Sequence, residues 1–150
     1  MKSKRQVRRG ATIVEMAFIA PVTFFLLVGI VVGGIGIFRY QEVSSLARQS
    51  ARYASVHGTQ YAADTGNAAA TPTDIYNNVI AAENVSLDPS AVTYSVTWNS
   101  NNAPYHTTIV NGSLTPVTNT VTVTITYQWI PEALFGGVTM SSTAVTPMSH

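Results

Sequence analysis

The sequence has no cysteine, which removes disulfides, a thiolate nucleophile and thiolate metal sites together. That absence is neutral about compartment, since an exported protein need not carry disulfides. Charge is scarce, at 10% of the 150 residues, and is unevenly placed. Lys2, Lys4, Arg5, Arg8 and Arg9 lie in the first ten positions, Arg39, Arg48 and Arg52 follow, and after Arg52 there is no lysine or arginine. The remainder keeps Asp64, Asp74, Glu83, Asp88 and Glu132. It is mildly acidic and offers no basic surface to a phosphate backbone, so nucleic acid is not an expected partner. Histidine is limited to His57, His106 and His150, with no two at a metal-ligand spacing, and no serine stands in a nucleophile-elbow context. No catalytic residue, metal or cofactor is assigned, and the chain is not expected to be an enzyme.

What is abundant is apolar sequence. Residues 16–38, Met-Ala-Phe-Ile-Ala-Pro-Val-Thr-Phe-Phe-Leu-Leu-Val-Gly-Ile-Val-Val-Gly-Gly-Ile-Gly-Ile-Phe, contain no charged side chain. As a helix they span roughly 34 Å, enough for a hydrocarbon core of about 30 Å. A cleaved secretory signal has an apolar region of only about 7–15 residues. Five basic residues before the run and three after it favour a cytoplasmic N-terminus and a C-terminal domain outside.

Beyond Phe38 the pattern becomes amphipathic. Tyr40, Val43, Leu46, Ala47, Ser50, Ala51 and Ala54 keep near-helical spacing, with Gln41, Glu42, Arg48 and Arg52 on other faces. One helix is expected from about Ala11 to His57, stopped at Gly58 and kinked or locally opened at Pro21. Residues 58–71 read as a polar linker. Thr71-Pro72-Thr73-Asp74 reads as a helix start, opening a short helix to about residue 83 with Ile75, Val79, Ile80 and Ala82 as its stripe. The period then changes to two. Val92, Tyr94, Val96 and Trp98 make one strand; Val121, Val123, Ile125, Tyr127 and Trp129 make the clearest one; Met140–Met148 is a weaker third. Residues between the first two strands read as a loop rich in Asn, Pro and Gly, and Ile130–Gly137 as an apolar loop. The fold class is α+β: a long N-terminal transmembrane helix, then a small antiparallel sheet of about three strands with one short helix. The expected division is a basic leader (1–10), the helix (11–57), the linker (58–71) and a soluble domain (72–150).

The residues that carry function are Arg8-Arg9-Gly10-Ala11-Thr12-Ile13-Val14-Glu15. A basic leader ends in Gly, and a carboxylate stands at the mouth of the apolar run, where it costs on the order of a few kcal/mol if it reaches the bilayer interior. This arrangement resembles a class III, prepilin-type signal sequence. The resemblance implies cleavage between Gly10 and Ala11 by a prepilin peptidase, with the hydrophobic helix retained and Glu15 as the fifth mature residue. A neighbouring subunit's Glu15 then neutralises the new amine on Ala11 where the dielectric is low.

The stretch Gly10–Ala54, and above all Ala47-Arg48-Gln49-Ser50-Ala51-Arg52-Tyr53-Ala54, resembles the TadE-like family of tight-adherence (Flp) pilus pseudopilins. That family has a mid-helix proline, matched by Pro21, and an Ala-Arg-x-Gly-Ala-Arg-Tyr-Ala segment where the helix leaves the membrane, matched by Arg48, Arg52 and Tyr53. Ser50 stands where the family usually has Gly, and Gly33, Gly34 and Gly36 occupy the region of an acid often found late in the run. The resemblance implies a single-pass bacterial inner-membrane subunit of a type IV pilus or related secretion system. Its implied partners are a prepilin peptidase, other pilin-like subunits, pilus assembly proteins and membrane lipid. Whether it stays in the membrane or is extracted into a pilus is left open.

Blander readings stand beside this one. Gly10 and Glu15 also suit a plain signal anchor. Gly29 and Gly33 form a candidate helix-packing pair, although such glycine patterns are common in membrane helices. Arg48 and Arg52 suit headgroups, a partner's carboxylate or simple solvation, and the strand aromatics read as core residues. The alternative function is a membrane-anchored envelope binding module with no pilus role.

Overall fold

A computed structural model describes residues 9–131 and 136–149. The chain divides into two compact units, Met1–Ile37 and Phe38–His150. Helix α1, Arg9–Val56, passes from one into the other. In the first unit α1 stays helical through Pro21, whose missing N–H leaves the Ala17 carbonyl without its usual donor. The best 18-residue apolar window of the helix has a mean hydropathy of 2.5 and is 0% buried. The core helix of a soluble domain would be largely covered. Here Phe18, Val22, Phe24, Phe25, Leu26, Leu27, Ile30 and Val31 are all exposed, as suits a single-pass membrane anchor.

In the second unit the same helix becomes one-sided. Val43, Leu46, Ala47, Ser50, Ala51 and Ala54 are buried, recurring at three- and four-residue steps that make one stripe. Tyr40, expected on that stripe, is exposed, while its neighbour Arg39 is the residue that meets the sheet. The helix ends at Val56, and Gly58 is not a left-handed stop but the extended N-cap of α2, Thr59–Thr65. Part of the expected linker is therefore helical, and it ends at Gly66 with φ 74°, the left-handed conformation glycine adopts without strain.

The next helix starts as expected. Thr71 Oγ1 accepts from the Asp74 N–H at 3.2 Å, while Asp74 Oδ2 accepts from the Thr71 N–H at 2.9 Å, a reciprocal capping box with Pro72 in the first turn. These bonds to Thr71 hold the Asp74 carboxyl below its usual 3.8. The helical stretch runs as α3 (Pro72–Ile75), a π-helical segment (Tyr76–Ile80) and α4 (Ala81–Glu83). The wider π turn shifts the register by about one residue. Ile75, Val79 and Ile80 are buried, whereas Ala82 is exposed.

Strands β1 (Val92–Trp98), β4 (Thr120–Trp129) and β5 (Val138–Pro147) form an antiparallel sheet with β4 in the centre. The alternation in β4 is read out as burial: Val121, Val123, Ile125, Tyr127 and Trp129 face inward. On the outer face Thr124 pairs with Thr143 at 2.9 Å and Thr126 with Ser141 at 3.1 Å. Hydrogen bonds join this sheet to the second half of α1 at both ends of the buried stripe. Arg39 Nη1 donates to Tyr127 Oη at 2.7 Å, and the Ser149 N–H donates to the Ser55 carbonyl at 3.0 Å. β4 therefore runs antiparallel to α1.

The segment expected as an Asn/Pro/Gly loop holds a second sheet, the hairpin of β2 (Tyr105–Val110) and β3 (Ser113–Thr118). Its two-residue turn is Asn111-Gly112, with φ of 51° and 80°, the positive pair that a type I′ turn needs. Asn119, fully buried, pins this hairpin to the larger sheet. Its Nδ2 donates to Asn101 Oδ1 at 2.7 Å and to the Ala103 carbonyl at 2.9 Å, and its Oδ1 meets His106 Nδ1 at 2.6 Å. With Nδ2 committed to oxygens, Oδ1 is the acceptor and His106 carries its proton on Nδ1. In backbone terms, the Asn119 N–H donates to Pro104 and its carbonyl accepts from Met148. Residues 132–135 of the expected apolar loop lie outside the described residues.

Candidate functional site

The candidate residues read from the sequence are strung along α1 and do not converge into a pocket. Gly10 and Ala11 are in its first turn, and Lys2, Lys4, Arg5 and Arg8 of the leader lie outside the described residues. Glu15 is exposed on the helix one turn past Ala11. A Cβ added at Gly29 or at Gly33 would meet nothing within 4 Å. Nothing among the described residues requires glycine at either position, which leaves close approach by another helix as a use for both.

After the apolar run the polar side chains fall into distinct environments. Arg48 is exposed and lies back along the helix, donating from Nη1 to Ser44 Oγ at 2.6 Å; Gln49 does the same to Ser45 at 3.1 Å. Arg52 is exposed on the same face as Arg48. Tyr53 is half-buried and stacks on His57, centroids 4.0 Å apart, and His57 meets Tyr61 at 4.6 Å. Burial, then the Asp74 carboxylate and Tyr61, push the Tyr53 phenol above its usual 10.0.

Two residues that sequence reasoning passed over do more to join the helix to the domain. Arg39, the first cation after the run, bonds Tyr127 and places its guanidinium carbon 5.8 Å from the Tyr127 ring centroid and 5.4 Å from that of Trp129, within cation–π range. Glu42, one turn later, receives the Val85 and Ser86 N–H groups on Oε1 at 2.7 and 3.0 Å and the Ser86 hydroxyl on Oε2. Burial raises the Glu42 carboxyl, but the Ser86 hydroxyl, the two amides and Arg39 outweigh that and hold it below 4.5. A groove of about 340 Å³ lies beside it, lined by Phe38, Gln41, Ser45, Leu46, Glu83 and Val85 among others. Among the described residues, no three His, Asp or Glu side chains gather in a metal-binding group.

An uncovered, uncharged helical run followed by a half that carries a small sheet defines a class, the single-pass membrane-anchored α+β proteins. Residues 10–52 match the model of the family described as TadE-like protein. The match begins at Gly10, takes in Glu15, Pro21, Gly29, Gly33 and Arg48, ends at Arg52, and agrees with the resemblance read from the sequence. It suggests a Tad pilus-associated membrane protein. No curated protein and no solved structure matches the chain.

Proposed function

We propose that the chain is a pseudopilin-like subunit of a tight-adherence (Flp) type IV pilus, or of a related secretion or assembly system, and acts without catalysis by packing α1 against helices of partner subunits. The observation that carries this reading is that the family match, 10–52, takes in the whole apolar run of α1, whose most apolar window is 0% buried among the described residues. Residues 1–10 act as the leader. A prepilin peptidase cuts between Gly10 and Ala11, and α1 holds the product in the inner membrane with its N-terminus cytoplasmic. Glu15 then pairs with the Ala11 amine of a neighbour, a pairing that offsets the cost of a carboxylate near hydrocarbon. Gly29 and Gly33 admit a neighbouring helix, and Pro21 leaves a free carbonyl beside it. Arg48 and Arg52 are 9 and 13 residues past Arg39, roughly 14 and 20 Å along the helix. That is beyond a headgroup layer of about 5–8 Å, so a partner's carboxylates suit them better than lipid. The soluble region, residues 72–150 with the preceding 58–71, is the part presented outside.

The test is processing and assembly measured separately. Co-expression with the matching peptidase should yield a mature N-terminus at Ala11, and replacing Gly10 with a bulky residue should leave the full-length chain. Glu15→Ala should insert normally and co-purify less with partner subunits. An N-terminus still at Met1, with Glu15→Ala equal to wild type in assembly, contradicts the proposal. The anchored binding module then takes its place, a reading favoured by the exposed Tyr105, Ile109 and Leu114 on the β2–β3 hairpin.

A further inference from the structure

Four apolar side chains near the start of the second unit are left uncovered: Val85 is 85% exposed, Ile130 75%, Phe38 55% and Val138 45%. They come from three separate parts of the chain, and each lies on, is bonded to, or neighbours a residue in contact with the same short piece of α1. Phe38 precedes Arg39. The Val85 N–H is on Glu42. Ile130 follows Trp129, whose ring is 5.4 Å from the Arg39 guanidinium carbon, and Val138 is the register partner of Trp129. Since β4 runs antiparallel to α1 and Tyr127 is already level with Arg39, residues 129 and 130 continue past that level toward the start of this unit, by about 3.3 Å per residue.

The uncharged run of α1 ends at Phe38. Chain continuity alone then puts Arg39, and whatever is fastened to it, within about one helical turn of the place where the run leaves hydrocarbon. A first cation after a membrane run ordinarily snorkels to lipid phosphate. Arg39 instead spends its guanidinium on Tyr127 and Trp129, which holds the end of β4 at this level. The nearby groove carries Glu42 and Glu83 and no basic residue, so the single charge of Arg39 is outweighed and this end has no net attraction to an anionic surface. We propose that Phe38, Val85, Ile130 and Val138 form an apolar docking face by which the sheet domain rests on the bilayer interface. The proposal relies on reading residues 16–38 as the span and adds that the domain touches the membrane as well as hanging from it. A side chain left exposed at this level gains by entering the interface, where apolar burial contributes without any need for charge. The hairpin gives an internal contrast. It is pinned through Asn119, whose carbonyl takes Met148 next to the Ser149–Ser55 bond, and Ser55 is 16 residues, roughly 24 Å, farther along α1 than Arg39. Its apolar side chains are equally exposed and belong to the distal end.

The chain has no cysteine, so single-cysteine labelling of the full protein is clean. Val85→Cys, Ile130→Cys, Leu114→Cys and Phe24→Cys, each carrying an environment-sensitive fluorophore, would be reconstituted in phosphatidylcholine vesicles with and without nitroxide lipid. Labels at 85 and 130 should be blue-shifted and quenched roughly twofold or more, label 24 quenched, and label 114 unquenched. High salt and added anionic lipid should change none of these values. If 24 is quenched while 85 and 130 behave like 114, the docking face is wrong and the anchor stands. If 24 is not quenched, the anchor reading itself has failed. A blue shift at 85 and 130 that is unquenched and disappears on dilution of protein in lipid identifies a second copy as the occupant and overturns the proposal.

Discussion

The two halves of α1 share one backbone geometry and differ in what surrounds their side chains. Through residues 16–38 apolar groups occur all around the helix and almost all are exposed; no face is distinguished, because in hydrocarbon none needs to be. From residue 43 onward the apolar and small residues collapse onto one stripe, buried at Val43, Leu46, Ala47, Ser50, Ala51 and Ala54, while Gln41, Arg48, Gln49 and Arg52 take the other side. The stripe is rich in small residues and is the helix's share of the domain core. The change of pattern within one uninterrupted helix marks the passage from lipid to water, and substitutions in the two halves should have unequal effects on the folded domain.

The largest difference should come from paired truncations of leucine. Leu46 is buried, so Leu46→Ala leaves a cavity in the domain core and should lower its stability by about 2–5 kcal/mol, read from near-ultraviolet circular dichroism of Trp98 and Trp129 during denaturant unfolding in micelles. Leu26→Ala, in the exposed run, should leave the same transition in place. Glu42→Gln should have an intermediate effect, about 1–2 kcal/mol, since charge-assisted bonds to Val85 and Ser86 are lost at a partly exposed site. The sign with pH is fixed. The folded carboxyl titrates below its usual 4.5, so its contribution is fully present above that value and is lost as pH falls through the lower folded value. Wild type and Glu42→Gln should differ at neutral pH and converge in strong acid. The smallest change should be of opposite sign. Ser50 is fully buried and its hydroxyl has no hydrogen-bond partner among the described residues, so Ser50→Ala should raise stability by up to about 1 kcal/mol; a loss of stability would show that the hydroxyl has a partner.

How much of this was legible in the sequence depends on whether burial imposed a period. The stripe at Leu46, Ala47 and Ala51 could be read because one face meets a core, and so could the alternation of Val121, Val123 and Ile125. The Thr71–Asp74 cap was legible because its chemistry is local. The β2–β3 hairpin was not read, although Asn111-Gly112 is a strong turn signal. Its strands are largely exposed on both faces, so Tyr105–Val110 shows no clean alternation, and Pro116 interrupts β3. Helix α2 was hidden because it buries no side chain. The contacts of Arg39 with Tyr127 and of Glu42 with Ser86 bridge 88 and 44 residues, and such pairs leave no local trace. The candidate assembly residues were legible for the opposite reason: Gly10 and Glu15 form a chemical pattern independent of the domain's folding.

The division of α1 between lipid and water is tested most directly by cysteine accessibility in cells. With a membrane-impermeant maleimide reaching only the outer side of the inner membrane, Phe24→Cys should stay unlabelled and Arg48→Cys should label readily, because position 48 is exposed beyond the run and the proposed orientation puts the C-terminal domain outside. Labelling of Phe24→Cys as fast as Arg48→Cys, or protection of Arg48→Cys until the cells are lysed, would contradict the account.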